Sequence, residues 1–284
     1  MLWQSKAGSP LIAYTHQGEE VWRYDLGPYL HGQGGGTSPI IHGESVIVCN
    51  DHSKGSFLLA LDRRNGKEQW KIPRKGRRAC YATPCVYAPE GRPAEIIFSH
   101  CFEGISGVDP QTGKQNWMLH VFGDFPQRAV GSPFVVGDFV VANSGARVAD
   151  KNLVAVRPGK EGEPAEEVYR LTKGAPHVPS AIAYNGLLFA WSDQGIVTCL
   201  DAQDGKEIWR ARVGGNFYGS PICIDGKLYC VDLDGTVVVI AAADTFQVLA
   251  RNPLGESSMA TPATAGGVLY VRTASHLFAI GGQK

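Results

Sequence analysis

The chain has 284 residues, with 27 basic and 27 acidic side chains, zero formal net charge, 19% charged and 44% apolar residues. Such balance gives no electrostatic footing for nucleic acid or an anionic membrane surface, and the composition excludes collagen, coiled coil and disorder. Glycine stands out at 35 of 284 residues, about 12% against a usual ~7%, and with 17 prolines it implies many tight turns and many short strands.

In chain order, the first elements are two short runs, Leu11–Tyr14 and Val21–Tyr24. The segment before them lacks the basic start and apolar stretch of a secretory leader. The longest aliphatic run, Val237–Ala243, is far short of the ~20 residues that cross a bilayer, so no membrane span is expected.

From residue 38 a repeat takes over. Small-residue–proline pairs stand at Ser38-Pro39, Thr83-Pro84, Ser132-Pro133, Ser220-Pro221 and Thr261-Pro262, with Val178-Pro179 assigned to the remaining slot. The prolines are 45, 49, 46, 42 and 41 residues apart. Each is followed by an apolar run, a glycine-containing turn and a second run, as in Ile222–Ile224, Asp225-Gly226 and Leu228–Val231, a hairpin signal. A third run then ends in a turn whose glycine precedes an aromatic by four: Gly18 and Trp22, Gly66 and Trp70, Gly113 and Trp117, Gly205 and Trp209. Asp62, Asp109 and Asp201 precede three of those glycines by four, where a carboxylate can accept turn N–H groups while glycine supplies positive φ. The tryptophans are 48, 47 and 92 residues apart, and Tyr169 fills the place that the doubled interval leaves empty.

Four antiparallel strands per 41–49 residues make the blade of a β-propeller. The expected architecture is all-β, one propeller domain over residues 1–284. It comprises a partial N-terminal blade at 1–27, repeats starting near 38, 83, 132, 179 and 220, and a terminal partial repeat at 261–284. Seven blades are favoured, with six as the alternative if the two ends share one. Trp22, Trp70, Trp117, Tyr169 and Trp209 are read as docking residues that cover the flank of the neighbouring blade.

The pattern Asp62–Trp70, Gly113–Trp117 and Asp201–Trp209 resembles the tryptophan-docking repeat of the PQQ-like β-propeller superfamily. Residues 171–179 and 213–217 are most similar to its uncharacterised bacterial members of planctomycete type. The resemblance implies three roles. One is a quinoprotein dehydrogenase, with PQQ and calcium over the central channel and an aspartate as base. Another is the lipoprotein scaffold of outer-membrane barrel assembly. The third is a binding propeller without chemistry. Against the dehydrogenase, the chain has no adjacent cysteine pair, is about half the usual length, and shows no clear calcium set. Against the scaffold, no lipidated cysteine stands near the start. Related propellers are mostly exported, and the compartment is otherwise left open.

Nucleophile and metal motifs are absent. The seven cysteines include no CxxC pair and read as small buried strand residues, with neither a disulfide framework nor a zinc site expected. Cys223 pairs with Leu228 in the register that the Asp225-Gly226 turn imposes. The loops on one face supply the candidate ligand-binding residues: His31, Arg77, Arg78, Tyr81, Arg128, His177, Asn216, Phe217 and Tyr218, with Asp193 and Asp232 from shorter turns. The run Arg74-Lys75-Gly76-Arg77-Arg78 reads as a solvated basic loop able to hold an acidic group. Gly32–Gly36 reads as a flexible connection. Asp232-Leu233-Asp234-Gly235 lacks the twelfth-position glutamate of a calcium loop and reads as a type I′ turn. The expected function is a non-enzymatic propeller binding a protein or small ligand on its loop face, with no cofactor. PQQ and calcium enter only with the dehydrogenase alternative.

Overall fold

The protein is described by a computed structural model, covering residues 10–29, 34–76, 78–123, 127–146, 149–159 and 163–281. Every regular element among these residues is a strand. β1 (Pro10–Tyr14) and β2 (Glu20–Asp25) form a two-stranded sheet. Five four-stranded meanders follow. They are β3 (Ile40–His42) to β6 (Glu68–Pro73) through β4 (Ser45–Asn50) and β5 (Phe57–Asp62), and β7 (Cys85–Tyr87) to β10 (Gln115–Leu119) through β8 (Glu95–His100) and β9 (Gly104–Val108). The third is β11 (Phe134–Val136), β12 (Phe139–Ala146), β13 (Ala149–Arg157) and β14 (Glu166–Leu171). The fourth is β15 (Ile182–Tyr184), β16 (Leu187–Trp191), β17 (Ile196–Asp201) and β18 (Glu207–Arg212). The fifth is β19 (Ile222–Ile224), β20 (Lys227–Val231), β21 (Thr236–Ala241) and β22 (Val248–Pro253). A three-stranded sheet of β23 (Ala263–Ala265), β24 (Val268–Arg272) and β25 (Leu277–Gly281) ends the described chain. The fold is all-β, and its unit is the four-stranded antiparallel propeller blade. The chain divides into two compact units, residues 1–149 with 154–168, and residues 150–153 with 169–284.

In the first unit, sheets pack face to face, and strand alternation feeds two cores at once. Val46 and Val48 of β4 join Leu11, Trp22, Leu59 and Leu61 in one cluster. Ile47 and Cys49 of the same strand join Trp70, Ile96, Phe98 and Val108 in the next. Hence β4 and β8 are buried at all six positions. The outer strands β6 and β10 each have a single fully buried residue, their tryptophan. In the second unit, Phe189, Trp191, Cys199, Phe217, Leu228, Cys230 and Ile240 form the largest cluster.

Trp22, Trp70 and Trp209 dock on the turn of the following sheet. Trp22 Nε1 donates to the Arg63 carbonyl (2.9 Å), Trp70 Nε1 to that of Pro110 (2.9 Å) and Trp209 Nε1 to that of Ala243 (3.0 Å). The Tyr169 hydroxyl does the same to Ala202 (3.1 Å). Glycine makes room for the ring: a methyl at Gly66 would fall 2.7 Å from Trp22, at Gly113 2.9 Å from Trp70, and at Gly205 2.4 Å from Tyr169. The three glycines have φ of +70°, +73° and +72°. Asp62 and Asp109 each accept two turn N–H groups, and Asp201 accepts that of Gln203.

Trp117 departs from this. Its Nε1 donates at 2.9 Å to the buried Glu95 carboxylate in its own sheet, which also accepts from Asn116. The following repeat carries Arg157-Pro158-Gly159 where the aspartate-led turn stands in the others. A cleft of about 580 Å³, lined by Arg92, Glu95, Lys114, Trp117, Gly159 and Glu163 among others, lies there instead.

A second periodic contact explains the Ser/Thr-Pro signature. Ser38 N–H donates to Thr83 Oγ1 (3.2 Å), Thr83 N–H to Ser132 Oγ (3.1 Å), Ser180 N–H to Ser220 Oγ (2.9 Å), and Ser220 N–H to Thr261 Oγ1 (2.9 Å). Each hydroxyl thus ties one sheet's entry to the one before it. The pattern corrects one slot: the equivalent of Ser220-Pro221 is Ser180-Ala181, two residues before β15, and not Val178-Pro179. Proline is dispensable there, because the backbone N–H and the hydroxyl two residues ahead of the strand make the contact.

Two hairpin turns can be compared with expectation. Asp225 and Gly226 both have positive φ (47° and 70°), as a type I′ turn requires, and Cys223 faces Leu228. At 232–235, Gly235 alone lies at positive φ (83°), with its N–H donating to the Asp232 carbonyl at 3.0 Å. This is a type I turn closed by a left-handed glycine, not the type I′ turn expected. A non-glycine residue at Asp234 need not then adopt the strained conformation.

Candidate functional site

Loops joining the second strand to the third, and one sheet to the next, emerge from the same end of each blade. In the first unit they build a buried polar network. Arg74 follows β6 and is 3% exposed, its guanidinium 3.4 Å from Asp51 Oδ2 and 3.0 Å from Glu103 Oε2. Glu103 also accepts the Gly76 N–H at 2.9 Å, and Cys49 donates its thiol to Asp51 at 2.9 Å. Burial opposes charge on Arg74, but the facing Asp51, Cys49 and Glu103 outweigh it and hold its pKa above the ordinary value. Burial likewise works against the Glu103 carboxylate, and Arg74, His100 and the Gly76 N–H overcome it, leaving its pKa lowered. The basic run therefore does not stand in solvent at Arg74, which serves as an internal counter-ion.

Beside this network lie Cys80, in the β6–β7 connection, and His100 and Cys101, at the β8–β9 turn. Their ligand atoms all fall within 4.8 Å of one another, and all three residues are buried. The two sulfurs are 3.4 Å apart. His100 Nδ1 accepts the N–H groups of Phe102 (3.1 Å) and Glu103 (3.2 Å), while Nε2 faces the Arg78 carbonyl at 3.3 Å. An open cleft of about 550 Å³, lined by Lys75, Gly76, Phe102, Glu103, Met118 and His120 among others, adjoins the cluster. Sequence reading misses this grouping, because 20 residues separate Cys80 from the His100-Cys101 pair. The available signal is that both segments end at the loop face of one repeat.

Of the candidate residues in this unit, Tyr81 and Arg128 meet. Arg128 Nη1 donates to the Tyr81 hydroxyl at 3.2 Å and its guanidinium lies 5.9 Å from the ring centre. Arg78 has a buried Nε with no hydrogen-bond partner among the described residues. His31 and Arg77 lie outside the described residues.

In the second unit, Asp193 organises the loops. Its carboxylate accepts Lys151 Nζ (3.0 Å) and the N–H groups of His177 (2.8 Å) and Val178 (3.1 Å). Asp232 Oδ1 accepts the Thr236 N–H at 2.7 Å. The Asn216 carbonyl accepts from Leu233, and the Phe217 N–H donates to the Asp193 carbonyl. Phe217, expected on the loop face, is fully buried and meets Trp191 edge-on with ring centres 5.2 Å apart. Tyr218 beside it is 42% exposed, as is Met259 at 66% on the next loop, whose Ala260 backbone packs on Gly219.

Fold and repeat together define a tryptophan-docked β-propeller of the PQQ-like superfamily. The chain belongs to the family described as outer membrane protein assembly factor BamB, which it matches over residues 4–164 and 142–283. BamB from Moraxella catarrhalis superposes with a TM-score of 0.72 at 17% identity, over 98% of this chain and 77% of that one. A europium-containing methanol dehydrogenase superposes with a TM-score of 0.63 at 13% identity, over 84% and 61% of the two chains. A 1-butanol dehydrogenase (cytochrome c) of Thauera butanivorans is 29% identical over 161 residues, which is 51% of this chain and 22% of that protein. The chain thus spans less than a quarter of that relative.

Whether calcium and PQQ would suit these residues can be judged from the donors. Calcium takes 6–8 oxygen ligands. The loop carboxylates of Asp193, Asp232 and Glu103 are bonded internally, to lysine, arginine or backbone N–H groups. Among the described residues, the only cluster of three or more histidine, cysteine or carboxylate groups close enough to share an ion is the Cys80, His100, Cys101 set, whose thiols and imidazole offer no oxygen to calcium. The described residues do not fit the calcium–quinone pair.

Proposed function

We propose that the chain is a non-enzymatic propeller scaffold that binds a protein or small ligand through its loop face. The observation that carries this reading is the internal commitment of the loop carboxylates. Asp193 and Glu103 have both carboxylate oxygens engaged within the protein, Asp232 Oδ1 holds its own turn, and Asp51 Oδ2 faces Arg74 and Cys49. The exposed Tyr218 and Met259 support a protein partner, since tyrosine and methionine are enriched in contact surfaces. The test is titration with PQQ and calcium, followed by absorbance and thermal melting. No saturable binding and no shift in melting temperature are expected. Micromolar or tighter binding, together with dye-linked oxidation of a primary alcohol, would reverse the assignment.

A second reading, a scaffold in outer-membrane protein assembly, is favoured by the matched family's description and by the coverage of the Moraxella protein. It would be supported by saturable binding of unfolded β-barrel precursor that Tyr218→Ala with Met259→Ser abolishes. Precursor binding unchanged in that variant would place any such contact elsewhere.

A further inference from the structure

We infer that Cys80 and Cys101 are a redox-active dithiol, converted by a hydroperoxide into an intrachain disulfide. Their sulfurs are 3.4 Å apart, so closing to a bond of about 2.05 Å moves each by less than an ångström. Among the described residues, no other two cysteine sulfurs share a hydrogen bond.

The surroundings favour sulfur chemistry over metal binding. A metal-ligating histidine normally donates its second ring nitrogen's proton to an acceptor. His100 does the reverse. Its Nδ1 accepts two backbone N–H groups, which can only donate, so the proton sits on Nε2. That nitrogen has no lone pair to give a metal and serves as a donor toward the Cys80 sulfur and the Arg78 carbonyl. The Cys80 thiol in turn donates to Cys101, and Arg78 adds positive charge nearby. The hydrogen bond from Cys80 lowers the Cys101 pKa despite burial, whereas burial pushes that of Cys80 up. Cys101 is therefore the attacking thiol and Cys80 the resolving one.

The step balances. Cys101, as thiolate, attacks one oxygen of the hydroperoxide, the O–O bond breaks, and the departing alkoxide takes up the Cys101 proton as the alcohol. Cys101 is left as a sulfenic acid. The Cys80 sulfur attacks the Cys101 sulfur, the S–O bond breaks, and hydroxide leaves with the Cys80 proton as water. Two thiols and one hydroperoxide give a disulfide, an alcohol and water. Both residues are buried, at 1% and 0% exposure, and the hydroperoxide reaches them from the adjoining cleft. The route is short: Gly76, a lining residue of the cleft, packs so closely on His100 that a methyl there would fall 2.3 Å from the ring, and Phe102 follows Cys101 directly.

The experiment exposes the full-length folded chain to hydrogen peroxide, blocks remaining thiols with iodoacetamide, and maps the peptides by mass spectrometry. Two of the seven thiols should be lost. A cross-linked Cys80–Cys101 peptide should appear and revert with dithiothreitol. Cys80→Ser should halt the sequence at a Cys101 sulfenic acid that dimedone traps, and Cys223→Ser should change nothing. Wild-type mapping needs no variant, so misfolding of a mutant does not blunt the test. The inference is overturned if both cysteines stay alkylatable while Cys85 or Cys223 oxidises, or if the bridge forms only in urea. It is also overturned if the untreated protein binds one equivalent of zinc or copper(I) that Cys80→Ser abolishes.

Discussion

Tryptophan docking can be isolated by placing the same substitution in two copies of the same turn. Gly66 and Gly18 are equivalent glycines of successive repeats, both left-handed, at φ +70° and +89°. A methyl at Gly66 would lie 2.7 Å from Trp22 Cδ2 and 2.8 Å from Cε3, whereas at Gly18 nothing stands within 4 Å. Gly18→Ala thus adds only left-handed backbone strain, about 1–2 kcal/mol. Gly66→Ala adds that strain and also lifts Trp22, which is 9% exposed, off its seat. Overpacking contributes about 1–3 kcal/mol, and loss of the 2.9 Å bond from Nε1 to Arg63 about 1 kcal/mol more. The expected losses are about 3–6 kcal/mol for Gly66→Ala and about 1–2 kcal/mol for Gly18→Ala. Urea unfolding followed by far-ultraviolet circular dichroism measures both, with unchanged m-values confirming a native-state effect. Equal losses in the two variants would refute docking as the stabilising contact.

Further outcomes follow from the polar network and the hydroxyl contacts. Arg74→Met should destabilise by about 3–5 kcal/mol in the same assay, since Asp51 and Glu103 would be left buried without their counter-ion. Glu103 has a lowered folded-state pKa, so its contribution is complete above the unfolded carboxyl value of about 4.3 and is lost as pH falls through the folded value. Thermal melts between pH 6 and pH 3 (roughly the range spanning that titration) should accordingly show a steeper acid-side fall for wild type than for Glu103→Gln. Ser220→Ala removes the acceptor of the part-buried Ser180 N–H and should cost about 1 kcal/mol by urea unfolding. Thr83→Val, at the more exposed Ser38 contact, should cost less in the same measurement.

What the amino-acid sequence makes legible is whatever the repeat repeats. Tyr169 is recognisable as a docking residue from spacing alone, because period and aromatic character survive the change from tryptophan, and its hydroxyl reaches the Ala202 carbonyl. The Ser180-Ala181 slot is easily misread because proline, the conspicuous letter, is incidental to a contact made by a serine hydroxyl and a backbone N–H. The turn at Asp232 is misassigned from sequence because an Asp-Gly pair suits both a type I′ turn and a type I turn closed by glycine, and only backbone angles separate them. Arg74 looks solvated because its neighbours are charged, yet its partners Asp51 and Glu103 come from the turns of two other hairpins. The Cys80, His100, Cys101 grouping is hidden for the same reason, since each cysteine alone reads as a small core residue.

The departures from periodicity gather around one sheet, β7–β10. Its tryptophan turns inward to a buried glutamate instead of onto the next sheet. Its second hairpin turn carries the histidine and cysteine that meet Cys80. Its two flanks open into the clefts at Glu95 and at Phe102. A structural repeat needs none of this, since neighbouring sheets pack with an aliphatic second strand and a docked aromatic. Burying Glu95 carries a desolvation penalty, offset here by hydrogen bonds from Asn116 and Trp117, whereas the one other charged residue at this register position, Lys227, is exposed. Stability alone gives no reason to concentrate a buried carboxylate, an arginine held by two acids and a close thiol pair in and beside one sheet. The sheet β7–β10 is therefore the one whose side chains the packing of the repeat accounts for least.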